Sequence, residues 1–141
     1  MKYIDTNIFG YAIENSEKYG RSCTRILQDL EDGKIMLACS HLVPIELMGV
    51  LSKINKERKK QKLPPMDVER NIEAVLSYPI AWLDINFFII RKAASHSSEL
   101  MASDRIHAAT MELNDIKEII SADTDFDTIP GIRRIDPLEY K

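Results

Sequence analysis

An α/β fold, with helices on both faces of a central, mostly parallel sheet, is the class this sequence predicts. Short β-like apolar runs alternate with helical patterns along the chain, and no repeat or low-complexity tract interrupts them. Parallel neighbours require crossover connections, which such alternation supplies. The composition is that of an ordinary globular protein: 141 residues, 45% hydrophobic and 29% charged. A chain of this length buries enough surface for one core and hardly for two, so one domain spanning 1–141 is expected.

The elements follow in order. KYID (2–5) is a short strand, and the stretch from Asn7 to about Gly33 is helical with a break near Ser16. IMLAC (35–39), bounded by Gly33 and Ser40, is a buried strand. A long helix starts at Ser40, tolerates Pro44 in its first turn, and runs into a lysine-rich arm that Pro64-Pro65 ends. Asp67 caps a helix to about Ser77, IAWLDI (80–85) is a third strand, and Asn86 to Leu100 is helical. Ser103 is placed to cap SDRIHAATMELN, EIISA (118–122) is a fourth strand, and IRRI (132–135) a short final one.

Composition and charge exclude several classes. No apolar run is long enough to span a membrane, since INFFII (85–90) is flanked by Asp84 and by Arg91-Lys92. The start MKYIDTN puts a carboxylate where a secretory signal needs an apolar core. Cys23 and Cys39 form no metal-binding pattern, so a cytoplasmic chain without disulfides or structural zinc is expected. Net charge is −3, yet residues 53–62 (KINKERKKQK) hold six Lys/Arg and one Glu, a local +5 that leaves −8 for the rest. A concentrated cationic segment therefore stands beside an acidic body. Lys53, Lys56, Arg58, Lys59, Lys60 and Lys62 either bind phosphates or form a solvated helix end whose cations suit the dipole.

The acids carry the chemistry. Ligands of open α/β sheets gather beyond the carboxyl ends of the strands, where KYID ends on Asp5 and EIISA runs into Asp123. Asp104 lies in the first turn of a helix, a favourable place for any acid. Glu46 is the unexpected one: Leu42, Val43, Gly49 and Val50 surround it on its helix face. It must pair with a cation or border a cleft. If these four acids converge, adjacent carboxylates about 5 Å apart repel by about 3 kcal/mol each at an effective dielectric near 20. Such a cluster persists only by protonating or by binding hard divalent cations such as Mg²⁺ or Mn²⁺. Taken singly, Asp5 and Asp123 also fit strand-end turns, Asp104 an ordinary first-turn acid, and Asp125 a loop.

In order and spacing, IDTNIF (4–9), PIEL (44–47), SDRIHAATM (103–111) and SADTDFD (121–127) resemble the motifs of PIN-domain nucleases, particularly VapC-type toxins of VapBC toxin–antitoxin pairs. The resemblance implies a three-layer α/β/α sandwich and Mg²⁺- or Mn²⁺-dependent cleavage of RNA. It places Asp5, Glu46, Asp104 and Asp123 in the acidic quartet, with Asp125 as a nearby fifth acid. Thr6, Asn7 and Ser121 fall at its supporting polar positions. It further implies a homodimer and a cognate antitoxin seated in the acidic groove. An RNA-processing nuclease outside such a pair, or a non-catalytic binding module, are the alternatives. Phosphotransfer enzymes of the haloacid-dehalogenase or receiver type lack their second acid here, because Thr6-Asn7 follows Asp5. No phosphate-binding glycine loop or Ser/His/acid signature occurs. His107, one turn after Asp104, is expected to pack, and Tyr3, Tyr11, Trp82, Phe87 and Phe88 to serve as core or interface aromatics.

Overall fold

A computed structural model describes residues 1–141. Five strands form one sheet: β1 (Lys2–Ile4), β2 (Leu37–Ser40), β3 (Ala81–Leu83), β4 (Glu118–Ile120) and β5 (Arg133–Ile135). Their order is β3-β2-β1-β4-β5 and every pairing is parallel. Six helices supply the crossovers up to β4, and a 3₁₀ turn (Thr124–Thr128) the last: α1 (Thr6–Ile13), α2 (Gly20–Glu31), α3 (Leu42–Lys60), α4 (Val68–Leu76), α5 (Phe87–Ala94) and α6 (Ala102–Leu113). The result is the α/β/α fold, with the sheet parallel throughout.

Chain direction explains the position of the site. From β1 the chain builds outward through β2 and β3, then returns to place β4 on the other side of β1. The order therefore reverses between β1 and β4, and the crevice beyond their carboxyl ends is the natural ligand position. The core beneath it is apolar, with Tyr3, Ile4, Leu37, Ile119 and Ile120 of the sheet fully or almost fully buried against Ile8, Phe9, Leu47, Leu51 and Met111 of the helices.

Several boundaries differ from expectation. The first helical stretch does break, over residues 14–19, where Asn15 turns left-handed (φ 52°) and Ser16 Oγ accepts the Tyr19 N–H. β2 begins two residues late, at Leu37, after an exposed Met36. α5 stops at Ala94 rather than Leu100, where the Ser95 hydroxyl donates to the Lys92 carbonyl in the serine-rich turn that follows. Ser103 is not the N-cap of α6; the helix starts at Ala102 with Met101 as cap, which places Ser103 inside the first turn. The basic arm is helical only to Lys60. Its return is pinned to α3, because Arg58 Nε donates to the Pro64 carbonyl and the Asn55 amide pairs with both backbone groups of Met66. Phe87 and Phe88 are 76% and 70% exposed and belong to no core; Tyr3, Phe9 and Phe126 are the buried aromatics.

Candidate metal centre

Each acid is delivered by a different element. Asp5 directly follows β1 and caps α1, its Oδ1 accepting the Thr6 N–H at 2.7 Å. Its Oδ2 accepts from Ser121 Oγ at 2.6 Å and from Asn7 Nδ2 at 3.3 Å. Ser121, just past β4, in turn accepts the Asp123 N–H at 3.0 Å, and Asn7 Nδ2 also reaches Ser121 Oγ at 3.2 Å. Thr6, Asn7 and Ser121 thus tie the carboxyl ends of β1 and β4 together around Asp5. Asp123 caps the short 3₁₀ turn Thr124–Thr128 and accepts the Asp125 N–H at 2.9 Å.

Glu46 rises from α3 toward the same crevice. That helix buries Val43, Leu47 and Leu51 in the core, and Glu46, Val50 and Lys53 follow one another along its cleft side at three- and four-residue spacing. Glu46 Oε1 accepts from Thr6 Oγ1 at 3.0 Å and is in short contact with His107 Nε2. Its apolar surroundings are explained by position and pairing: it borders a cleft, and its partner is a histidine rather than a Lys or Arg.

Asp5, Glu46, Asp104 and Asp123 line one cleft of about 490 Å³, with Thr6, Asn7, Tyr11, Ser103 and Lys53. Ligand atoms of Asp104, Asp123 and Asp125 lie within 4.8 Å of one another, as do those of Asp5, Glu46 and His107. The electrostatics follow from this crowding. Burial, then the charges of Asp123 and Asp5, push the Asp104 carboxyl up to about 7. Burial also raises Asp5, against the lowering effects of His107, Ser121 and Thr6. Burial works to raise Glu46 too, but the His107, Thr6 and Ser103 side chains outweigh it and hold the carboxyl below its ordinary range.

One atom tests whether a cation fits. Asp104 is 7% exposed, and its Oδ2 is buried without any hydrogen-bond partner. An orphaned carboxylate oxygen is costly in a site where neighbouring polar groups are bonded, and a hard divalent ion beside Asp123 and Asp125 would supply what it lacks. An all-carboxylate donor set suits Mg²⁺ or Mn²⁺ better than softer ions.

The PIN domain model matches residues 2–132. The chain belongs to the PIN-domain family. No curated protein matches it. Among solved structures, this PIN domain resembles a toxin–antitoxin complex from Klebsiella pneumoniae at 23% identity and TM-score 0.64, covering 99% of this chain and 100% of the other. It also resembles VapBC2 from Rickettsia felis bound to a promoter DNA fragment (20%, TM-score 0.67, 96% and 98%). A third is FitAcB from Neisseria gonorrhoeae (18%, TM-score 0.53, 99% and 100%). At these identities the likeness is one of fold.

The cationic residues of this PIN domain divide by location. Lys53 lines the acidic cleft, whereas Lys56, Lys59 and Lys62 line a separate groove with Asn55 and Pro64-Pro65. Lys60 pairs with Glu57 at 3.9 Å, and Arg58 is committed to the Pro64 carbonyl. The residue that sequence reasoning missed is His107. It is fully buried, yet both ring nitrogens are bonded, so it does more than pack. The available signal was its spacing of three from Asp104, which puts both on one face of α6.

Proposed function

We propose that this protein is a metal-dependent endoribonuclease that hydrolyses RNA phosphodiester bonds, and that it acts as the toxin of a toxin–antitoxin pair. The observation that carries the nuclease reading is the meeting of Asp5, Glu46, Asp104 and Asp123, from four separate parts of the chain, in one cleft where a buried carboxylate oxygen of Asp104 lacks a partner. The toxin reading is supported by resemblance to structures of toxin–antitoxin assemblies along nearly their whole length. In this reading the protein pairs with a second copy and with an antitoxin that shields the acidic cleft.

Asp104, Asp123 and Asp125 would hold one Mg²⁺ or Mn²⁺, with Asp5 and Glu46 completing that shell or serving a second ion. Such an ion, when bound, polarises the scissile phosphate and makes water a stronger nucleophile near neutral pH. The protein's own groups do the rest. Asp5 is locked by bonds from Thr6, Asn7 and Ser121. Glu46 Oε2, which takes no part in the Thr6 and His107 bonds, accepts a hydrogen bond from the attacking water and orients it. No side chain is placed as a covalent nucleophile. Lys53 receives a phosphate at the mouth of the cleft, and Lys56, Lys59 and Lys62 follow the RNA backbone beyond it.

Cleavage of a labelled RNA by the purified protein tests this. Activity is expected with Mg²⁺ or Mn²⁺, is abolished by a chelator, and is absent in folded Asp5→Ala. Cleavage that survives both chelation and Asp5→Ala contradicts the proposal.

A further inference from the structure

Of the four acids, Glu46 has the longest side chain and the most rotamer freedom to lose when ordered. Something must hold it. Resting on the metal-dependent reading above, we propose that His107 is a positioning residue: it clamps Glu46 through Oε1 so that Oε2 faces the cleft. Both Oε1 partners lie in other elements, Thr6 Oγ1 at the start of α1 and His107 Nε2 in α6. The carboxylate is thereby fixed relative to Asp5 and Asp104 at once.

The ring itself is immobilised. His107 Nδ1 lies 2.6 Å from Tyr3 Oη, and Tyr3 Oη accepts the Ser40 N–H at 3.1 Å. Tyr3 and His107 also meet edge to face at 5.5 Å. Opposite a carboxylate, Nε2 must carry a hydrogen and donate it, since a lone pair there would meet a lone pair. The bonds therefore run from the end of β2, through the middle of β1, to α6 and across to α3, with every polar atom of the imidazole engaged. An apolar side chain would serve better if position 107 were needed only for packing, because Ala108, Ala109 and Met111 around it are buried and apolar.

Direct ligation is the competing role, because the ligand atoms of Asp5, Glu46 and His107 lie within 4.8 Å of one another. The geometry opposes it. Tyr3 occupies Nδ1 and Glu46 occupies Nε2, so the ring offers no free lone pair.

The test measures Mn²⁺ binding to the full, metal-stripped protein by electron paramagnetic resonance, alongside single-turnover RNA cleavage. His107→Gln keeps a donor near the position of Nε2, whereas His107→Ala removes it. The clamp predicts that His107→Ala weakens Mn²⁺ binding about 10- to 100-fold and lowers kcat at saturating metal while KM for RNA holds. His107→Gln recovers most of both losses. Tyr3→Phe moves the same readouts by less, and His107→Ala adds nothing further in a Glu46→Gln background. Equal deficits in Gln and Ala variants, which ligation predicts, overturn the proposal; so does a folded His107→Ala with wild-type affinity and kcat. If His107→Ala fails to fold, the Gln variant decides: near wild-type binding and kcat uphold the clamp, and deep loss overturns it. Wild-type protein that binds Mn²⁺ but cuts no RNA defeats the nuclease reading alone, since the clamp is still scored by affinity; failure to bind Mn²⁺ defeats both.

Discussion

Asp104 shows most clearly how one residue can work against its fold. Its carboxyl, ordinarily near 3.8, is pushed up to about 7 by burial and by Asp123 and Asp5. The metal-free folded state therefore holds that proton more tightly than the unfolded chain does. The stabilisation is complete below about pH 4 and is lost as pH rises through about 7. Denaturant unfolding in chelator is expected to show this decline, and Asp104→Asn to remove it, leaving the variant about 1–2 kcal/mol more stable at pH 7.5 after allowance for solvent screening. The same variant is expected to lose at least about 100-fold in metal-dependent cleavage. A destabilised Asp104→Asn that retains specific activity contradicts the assignment. Asp5, Asp104 and Asp123 were legible because strand ends and first helical turns are local features, and Glu46 because an acid among Leu and Val stands out. His107 was not, because its partner Tyr3 lies 104 residues away. No local pattern links them.

At the scale of elements, α3 combines three tasks on one rigid rod. Val43, Leu47 and Leu51 anchor it in the core, Glu46 and Lys53 face the cleft, and the cationic end projects beyond. Leu51 is fully buried, so Leu51→Ala is expected to cost about 2–5 kcal/mol in denaturant unfolding. A cost below about 1 kcal/mol would show that the helix is not anchored there. The basic end carries a different expectation. Replacing Lys56, Lys59 and Lys62 by Gln removes three phosphate contacts, which should make the slope of log affinity for single-stranded RNA against log salt shallower by about 2. Binding measured in chelator with inactive Asp104→Asn checks this, and an unchanged slope leaves these lysines as a solvated surface. The lysine run was visible in the sequence, but its division was not. Which cations face the cleft, and which are committed to Glu57 or Pro64, depends on how the return after Lys60 folds back.

For the molecule as a whole, the alternating pattern already implied a parallel sheet with helices on both faces, because the crossover requirement is general. Strand order was not implied. The return of β4 to the far side of β1 brings Asp5 and Ser121 into contact across 116 positions, and neither period nor propensity encodes that step. Under the proposed function, crowded carboxylates would also couple the fold to a bound cation. A divalent ion present at 100 times its Kd should add about 2.7 kcal/mol of stability and raise Tm by several degrees, with a smaller effect in Asp104→Asn. Differential scanning calorimetry with and without Mn²⁺ reads this directly. The most direct test of the whole account is equilibrium Mn²⁺ binding by the metal-stripped protein, compared with folded Asp5→Ala and Asp104→Asn. Saturable binding of one or two ions that both substitutions abolish or sharply weaken is the predicted result. No binding, or binding that survives both substitutions unchanged, would contradict the claim that the carboxylates at the ends of β1 and β4 converge to hold a catalytic cation.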